Sequence, residues 1–237
     1  MDRRSFLKIT GTLAAGTMLA SGSHLLLAAE EKKQVSKGSK RWAMVVDLDK
    51  CDGCKTCETA CRIENNVPLY NDERYDAYWM RVAEIEQELP NAKSRPLPLM
   101  CQHCEEAPCV KVCVTKASFR RDDGIVLVDE HRCIGCRYCV IACPYRARSV
   151  IFRENDTLTN KEVPKMMEGV ATKCTFCVHR VDKGKKPACV TSCPNEALIF
   201  GDMNDPNSDV GKIIAEKHVQ VLRPEKLVKP GVFYKGL

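Results

Sequence analysis

Cys133-Ile134-Gly135-Cys136-Arg137-Tyr138-Cys139-Val140-Ile141-Ala142-Cys143-Pro144 reads C-x-x-C-x-x-C-x-x-x-C-P. A tight loop around Gly135 lets three sulfurs converge, and a short helix then carries Cys139 and Cys143 about one turn apart. Pro144, which has no N–H and clashes with the preceding turn, stops that helix. Runs of this spacing hold [4Fe–4S] clusters: three close thiolates clasp one cube, and the fourth reaches across to another.

A single C-x-x-C would say little, because zinc knuckles and redox pairs share it. Here the pattern recurs in four groups: Cys51, Cys54, Cys57 and Cys61; Cys101, Cys104, Cys109 and Cys113; Cys133, Cys136, Cys139 and Cys143; and Cys174, Cys177, Cys189 and Cys193. These groups use all 16 cysteines. The recurrence is the internal repeat of the chain, and the expected cofactors are four [4Fe–4S] clusters with these sixteen cysteines as iron ligands.

With 237 residues, 44% hydrophobic and 29% charged, the chain reads as a folded protein, but aromatics are only 6% and a conventional core would be thin. Clusters and their thiolates can fill that interior and cross-link its loops, as structural metals do in other small domains.

Residues 1–29 are expected to stand apart from the fold. Arg3-Arg4-Ser5-Phe6-Leu7-Lys8 is a twin-arginine motif, an apolar stretch runs from Ile9 to Leu27, and small residues follow at Ala28-Ala29. This order reads as a Tat signal cleaved after Ala29, and places the protein in the periplasm or on the outer face of the cytoplasmic membrane. A second reading retains the segment as an anchor, since about 20 apolar residues can span a bilayer. Residues 30–40 read as a polar linker, and 41–237 as the cluster-bearing domain.

The formal charge of +6 does not indicate a nucleic-acid partner. Loss of residues 1–29 removes Arg3, Arg4, Lys8 and Asp2, which leaves about +4, and four oxidised clusters at about −2 each bring the holoprotein near −4. No nucleic acid is therefore expected.

Apolar runs flank the groups. Trp42–Leu48 and Gly124–Asp129 read as strands entering the first and third groups, while Ser149–Phe152 and Ala197–Phe200 read as strands leaving the third and fourth. Strand, cluster loop, short helix and strand make a ferredoxin unit. The expected fold is α+β: two ferredoxin-like modules of two [4Fe–4S] clusters each, with pseudo-symmetry, loop-rich, with insertions at 62–100 and 145–173 and an extended C-terminal tail. The first insertion, with Tyr70, Tyr75, Tyr78 and Trp79, reads either as a docking excursion or as a flap over a cluster. Residues 209–218 read as a short helix with Asp209 as N-cap.

Several segments carry a family resemblance: Ala43-Met44-Val45-Val46-Asp47-Leu48, Cys101-Gln102-His103-Cys104 with Pro108-Cys109-Val110, Asp123-Gly124-Ile125-Val126, Cys143-Pro144-Tyr145, and Lys173-Cys174-Thr175-Phe176-Cys177-Val178-His179-Arg180. Across nearly the whole mature chain the sequence resembles the four-cluster ferredoxin subunits of periplasmic respiratory complexes. These include polysulfide, tetrathionate and dimethyl sulfoxide reductases, the formate-dependent nitrite reductase system and the sulfite-reduction-associated membrane complex. The Tat signal on a small separate subunit looks most like the last of these or tetrathionate reductase.

The resemblance implies an electron-transfer subunit rather than an enzyme in its own right. It would relay single electrons between a quinone-interacting integral membrane subunit and a second redox subunit, a multihaem cytochrome or a molybdopterin protein, after passage through the Tat translocase. It also implies crossed ligation. Cys51, Cys54 and Cys57 would share a cluster with Cys193, and Cys174, Cys177 and Cys189 with Cys61. Cys133, Cys136 and Cys139 would share one with Cys113, and Cys101, Cys104 and Cys109 with Cys143. Arg62 and Val114 stand where a proline commonly follows the fourth cysteine, so those helices are expected to run on.

A zinc- or disulfide-stapled secreted protein is the competing reading; paired knuckles would satisfy zinc but leave the cysteines at i+6 and i+10 unexplained. Lys55, Arg62, Arg137, Arg146, Arg148, Lys173 and Arg180 lie near ligands in sequence and are candidates for raising cluster potentials, against the plainer reading of solvated surface charge. His103 and His179 are read as hydrogen-bonding neighbours of the ligands.

Overall fold

The central strand forms because its apolar run is unbroken. In the computed structural model, which describes residues 40–72, 74–85, 94–153 and 159–237, β1 (Trp42–Asp47) is buried on both faces from Ala43 to Val46. The Tat-like segment 1–29 and most of the expected linker lie outside the described residues.

Strand β8 (Leu198–Asp202) pairs antiparallel with β1, with Met44 opposite Phe200. On its other side β1 takes β10 (Val232–Lys235) in parallel, with Met44 opposite Val232, and β10 in turn pairs with β9 (Val219–Gln220). The sheet order is β8-β1-β10-β9. The C-terminal tail is thus extended, as expected, and forms an inner strand of the sheet.

Alternation divides β1 between two layers. Met44 and Val46 point into the main core with Leu198, Phe200, Val232 and Tyr234, and ligand-group cysteines Cys57, Cys61, Cys101, Cys174 and Cys189 belong to that same core. Ala43 and Val45 pack on the other face against Val210 of the helix Asp209–Ala215. The helix begins one residue earlier than its sequence suggests. Ser208 is the N-cap, its Oγ accepting the Gly211 N–H at 2.9 Å, while Asp209 occupies the first turn, where its carboxylate favours the helix dipole.

The described part of the insertion 62–100 packs on the fold, as the flap reading expects. Its hairpin, β2 (Met80–Ile85) with β3 (Arg95–Met100), sends Met80, Leu97 and Met100 into the main core. Pro96 and Pro98 fit because they lie two residues apart, so both missing N–H groups fall on one edge, and among the described residues β3 pairs only with β2, on its other edge. Trp79, just before the hairpin, is buried and donates its indole N–H to Thr172 Oγ1 at 2.8 Å. Two smaller pairs complete the strands: β4 (Ser118–Arg120) with β5 (Val126–Val128), and β6 (Ser149–Val150) with β7 (Ala171–Thr172).

Candidate iron–sulfur sites

Each group is built from one backbone device. The residue before the second cysteine is left-handed in all four: Gly53 (φ 77°), His103 (φ 42°), Gly135 (φ 65°) and Phe176 (φ 54°). That turn redirects the backbone so the first two thiols face the same way. At Gly135 nothing larger fits, because a Cβ would lie 2.2 Å from the Gly169 carbonyl oxygen. His103 and Phe176 carry side chains into the same conformation, and their rings stack on each other with centroids 3.7 Å apart.

The first and third groups then repeat a second left-handed residue, Lys55 and Arg137, each directly before a helix: α1 (Thr56–Glu64) and α3 (Tyr138–Ala142). In the second and fourth groups a proline-led turn of helix carries the third cysteine: α2 (Pro108–Lys111) and, after α4 (Val178–Val181), α5 (Ala188–Thr191) behind Pro187. Helix α1 runs past Cys61 to Glu64, as the absent proline led one to expect. At Cys113 the helix has already ended at Lys111, so Val114 does not extend it. There, as at Cys143 and Cys193, the chain turns through a left-handed residue, Lys116, Arg146 or Glu196, whose N–H bonds back to the cysteine carbonyl.

Packing brings thiols of different groups together: α1 lies against α5, and α2 against α3. The thiol of Cys57, pushed up to about 12 first by burial and then by neighbouring charge, has Cys193, Cys51 and Cys54 beside it. Cys61 is raised far by burial and by Cys174, Cys189 and Cys177. Burial, then Cys101, Cys109 and Cys143, raise Cys104. Cys139 is raised by burial, with Cys133 and Cys113 nearby. Cys136 lies in the third loop and is exposed. Loading iron must therefore strip protons from thiols that burial keeps protonated.

All sixteen cysteines carry free thiols. Among the described residues no three His, Cys, Asp or Glu side chains are drawn together in a way that would hold one metal ion. Cys51, Cys54, Cys57 and Cys193 instead line one common pocket, which Gly53, Val82 and Pro98 help to close. N–H groups already point at sulfur: Ser118 to Cys113 Sγ at 3.3 Å, Ala197 to Cys193 Sγ at 3.3 Å, and the Asn65 amide to Cys177 Sγ at 3.4 Å. Cysteines of two groups converging on one pocket, with N–H donors aimed at sulfur, fit a [4Fe–4S] cube.

The nearby cations separate into kinds. Arg62 donates to the Pro68 carbonyl and lies over the Tyr78 ring, Arg137 lies over Phe152, and Lys55 and Arg146 are exposed. Arg180 and His179 both bind Glu64, at 2.9 and 2.8 Å, tying α4 to α1. His179 thus pairs with a carboxylate. His103 is buried and its Nδ1 accepts the Val126 N–H at 3.0 Å. Lys173 and Arg148 are buried outright, which sequence proximity alone did not distinguish.

Fold and site together define an iron–sulfur protein of the ferredoxin-like, multi-cluster class. Comparison with known proteins agrees: two 4Fe-4S dicluster domain families match residues 43–114 and 93–203. The sequence is 45% identical to the Hdr-like menaquinol oxidoreductase iron-sulfur subunit 1 of Archaeoglobus fulgidus, covering 100% of this chain and 98% of that protein. It is 40% identical to the B subunit of tetrathionate reductase from Salmonella typhimurium, covering 100% of this chain and 88% of that one. It is 37% identical to the NrfC homolog of Haemophilus influenzae, covering 98% of this chain and 94% of that one. This protein belongs to the family of 4Fe-4S dicluster iron–sulfur subunits. It is an electron-transfer subunit of an oxidoreductase complex, with the substrate chemistry on a partner, and its sixteen cysteines fit four [4Fe–4S] clusters.

Proposed function

We propose that the chain is a one-electron relay between a quinone-interacting membrane subunit and a second redox subunit of a respiratory complex of sulfur-compound metabolism, using the crossed ligand sets. Each bound cluster supplies the capacity to accept and release one electron. The protein supplies the order. Cys57 neighbours Cys61 and Cys189, Cys101 neighbours Cys174, and Arg148 stands between Cys109 and Cys139, so the four sets follow one another in series.

The observation that carries this reading is where the exposed thiols fall. Cys54 and Cys136, in the first and last sets of the series, are exposed; in the two inner sets Cys61, Cys101, Cys104, Cys109, Cys174, Cys177 and Cys189 are buried and Cys143 is half-buried. A relay needs access at its ends and insulation between them. Around Cys136 the chain presents Ile134, Tyr138 and Ile141 to solvent, the last 80% exposed, and an exposed apolar patch of this kind supports docking of a partner subunit. The paired helices and repeated loops support pseudo-symmetric modules, and Arg3-Arg4 supports Tat export to the outer face of the membrane, with residues 1–29 as signal.

Iron analysis with electron paramagnetic resonance of the purified protein is the test. The expectation is about sixteen irons per chain and four reducible clusters; about four irons would end the four-cluster reading. The 40% identity to the B subunit of tetrathionate reductase over the full chain favours a second assignment, as electron-transfer subunit of a molybdopterin reductase. Co-purification from membranes separates the two: a molybdopterin subunit selects the second, a multihaem cytochrome without one the sulfite-reduction-associated type.

A further inference from the structure

Of the cations near ligand cysteines, Arg148 is the one whose bonding is incomplete. It is only 5% exposed. Its Nη1 donates to Ser118 Oγ at 2.9 Å, while Nε and Nη2, both buried, meet no oxygen or nitrogen acceptor among the described residues, and the guanidinium has the Cys109 and Cys139 thiols as its hydrogen-bonding neighbours. Lys173 is equally buried, but its ammonium is taken up by the carbonyls of Val126 and Cys174. A guanidinium does not deprotonate in proteins, so Arg148 holds a full charge in the interior and two donors that no oxygen or nitrogen takes up. Natural structures rarely leave such groups unmatched.

What surrounds it is sulfur from two ligand sets. Cys109 and Cys139 are side-chain hydrogen-bonding neighbours of the guanidinium, and Cys101 lies near enough to act on its charge. Ser118, the partner of Nη1, donates its own N–H to Cys113 Sγ at 3.3 Å. Arg148 therefore meets the set of Cys101, Cys104 and Cys109 through Cys109, and the set of Cys133, Cys136 and Cys139 through Cys139 and, by way of Ser118, Cys113.

We propose that Arg148 is a positioning residue shared by two adjacent clusters: its Nε–H and Nη2–H donate to cluster or thiolate sulfur, and its buried charge raises the reduction potential of both. A positive charge favours the reduced, more negative state of each cluster, and hydrogen bonds to sulfur act in the same direction. The inference rests on the four-cluster reading above.

The test is a redox titration of the full holoprotein, followed by electron paramagnetic resonance, in wild type, Arg148→Met and Arg148→Lys. Signals are assigned to the Cys101 set and the Cys133 set by their loss in Cys101→Ser and Cys133→Ser. In Arg148→Met both of those signals should fall by at least tenfold in reduction equilibrium, about 59 mV for one electron, while the other two stay in place. Arg148→Lys keeps the charge but loses the fork, and should shift the same two signals less, with the same sign. If neither signal moves, if only one moves, or if all four move together, the shared role is wrong. Where Arg148→Met loads less iron than wild type, Arg148→Lys decides: wild-type potentials there would reduce Arg148 to a structural cation. A wild-type protein far short of sixteen irons would instead overturn the cluster reading and not this inference alone.

Discussion

The first and fourth groups are joined by the two ends of the domain, the second and third by a hairpin between them. Strand β1, before the first group, pairs with β8, after the fourth, and β10 from the C-terminus flanks β1 on its other edge. Strands β4 and β5, which link the second group to the third, pair through a turn at Arg121–Gly124. One half is thus closed by long-range contacts and the other by local ones. Loop-closure entropy makes the first costlier to assemble and the second nearly self-contained. The local half has a different cost, since it encloses the charge of Arg148.

The largest expected effect breaks the long-range closure. A chain ending at Lys229 loses β10 and leaves an edge of β1 bare, so its iron content should fall from about sixteen to about eight or fewer per chain; full loading would show that the first half does not depend on the C-terminus. Gly135→Ala attacks the other half. The added methyl would stand 2.2 Å from the Gly169 oxygen at a left-handed φ, so the third group's cluster should be lost from the spectrum. Gly53→Ala is the matched control. There the nearest atom is Pro96 Cβ at 3.1 Å, and unfolding should show a cost of about 1–2 kcal/mol, mainly backbone strain, with the clusters retained.

Smaller effects sharpen the contrast. Glu64→Gln weakens the link from α1 to Arg180 and His179 across the long-range half, and should lower stability by about 1–2 kcal/mol in denaturant titration. Ser208→Ala removes the cap of the helix behind β1 at a cost of about 1 kcal/mol, with no change in cluster potentials.

Cysteine spacing made the four groups and their loops legible, because metal-ligand geometry leaves few solutions for C-x-x-C-x-x-C. The strand Trp42–Asp47 was legible for a similar reason: an unbroken apolar run has to be buried on both faces. The role of Val232–Lys235 was not, since a four-residue strand carries little periodicity and its partner lies nearly 190 residues away in sequence. Nor could sequence separate Arg148 from Arg146, two residues apart with the same charge, one buried and the other exposed. His103 and Phe176 were hidden as left-handed positions because glycine, the usual marker, is absent there. They stack on each other, and that contact supports two backbones which their side chains disfavour.

Crossed ligation is the claim on which the series of sets depends, and Cys143→Ser tests it most directly. Its paramagnetic spectrum should lose or alter the same signal that Cys101→Ser loses, while the signal removed by Cys133→Ser stays intact, because Cys143 is assigned to the set of Cys101, Cys104 and Cys109. If Cys143→Ser instead removes the signal that Cys133→Ser removes and spares that of Cys101→Ser, each group holds its own cluster and the crossed arrangement is contradicted.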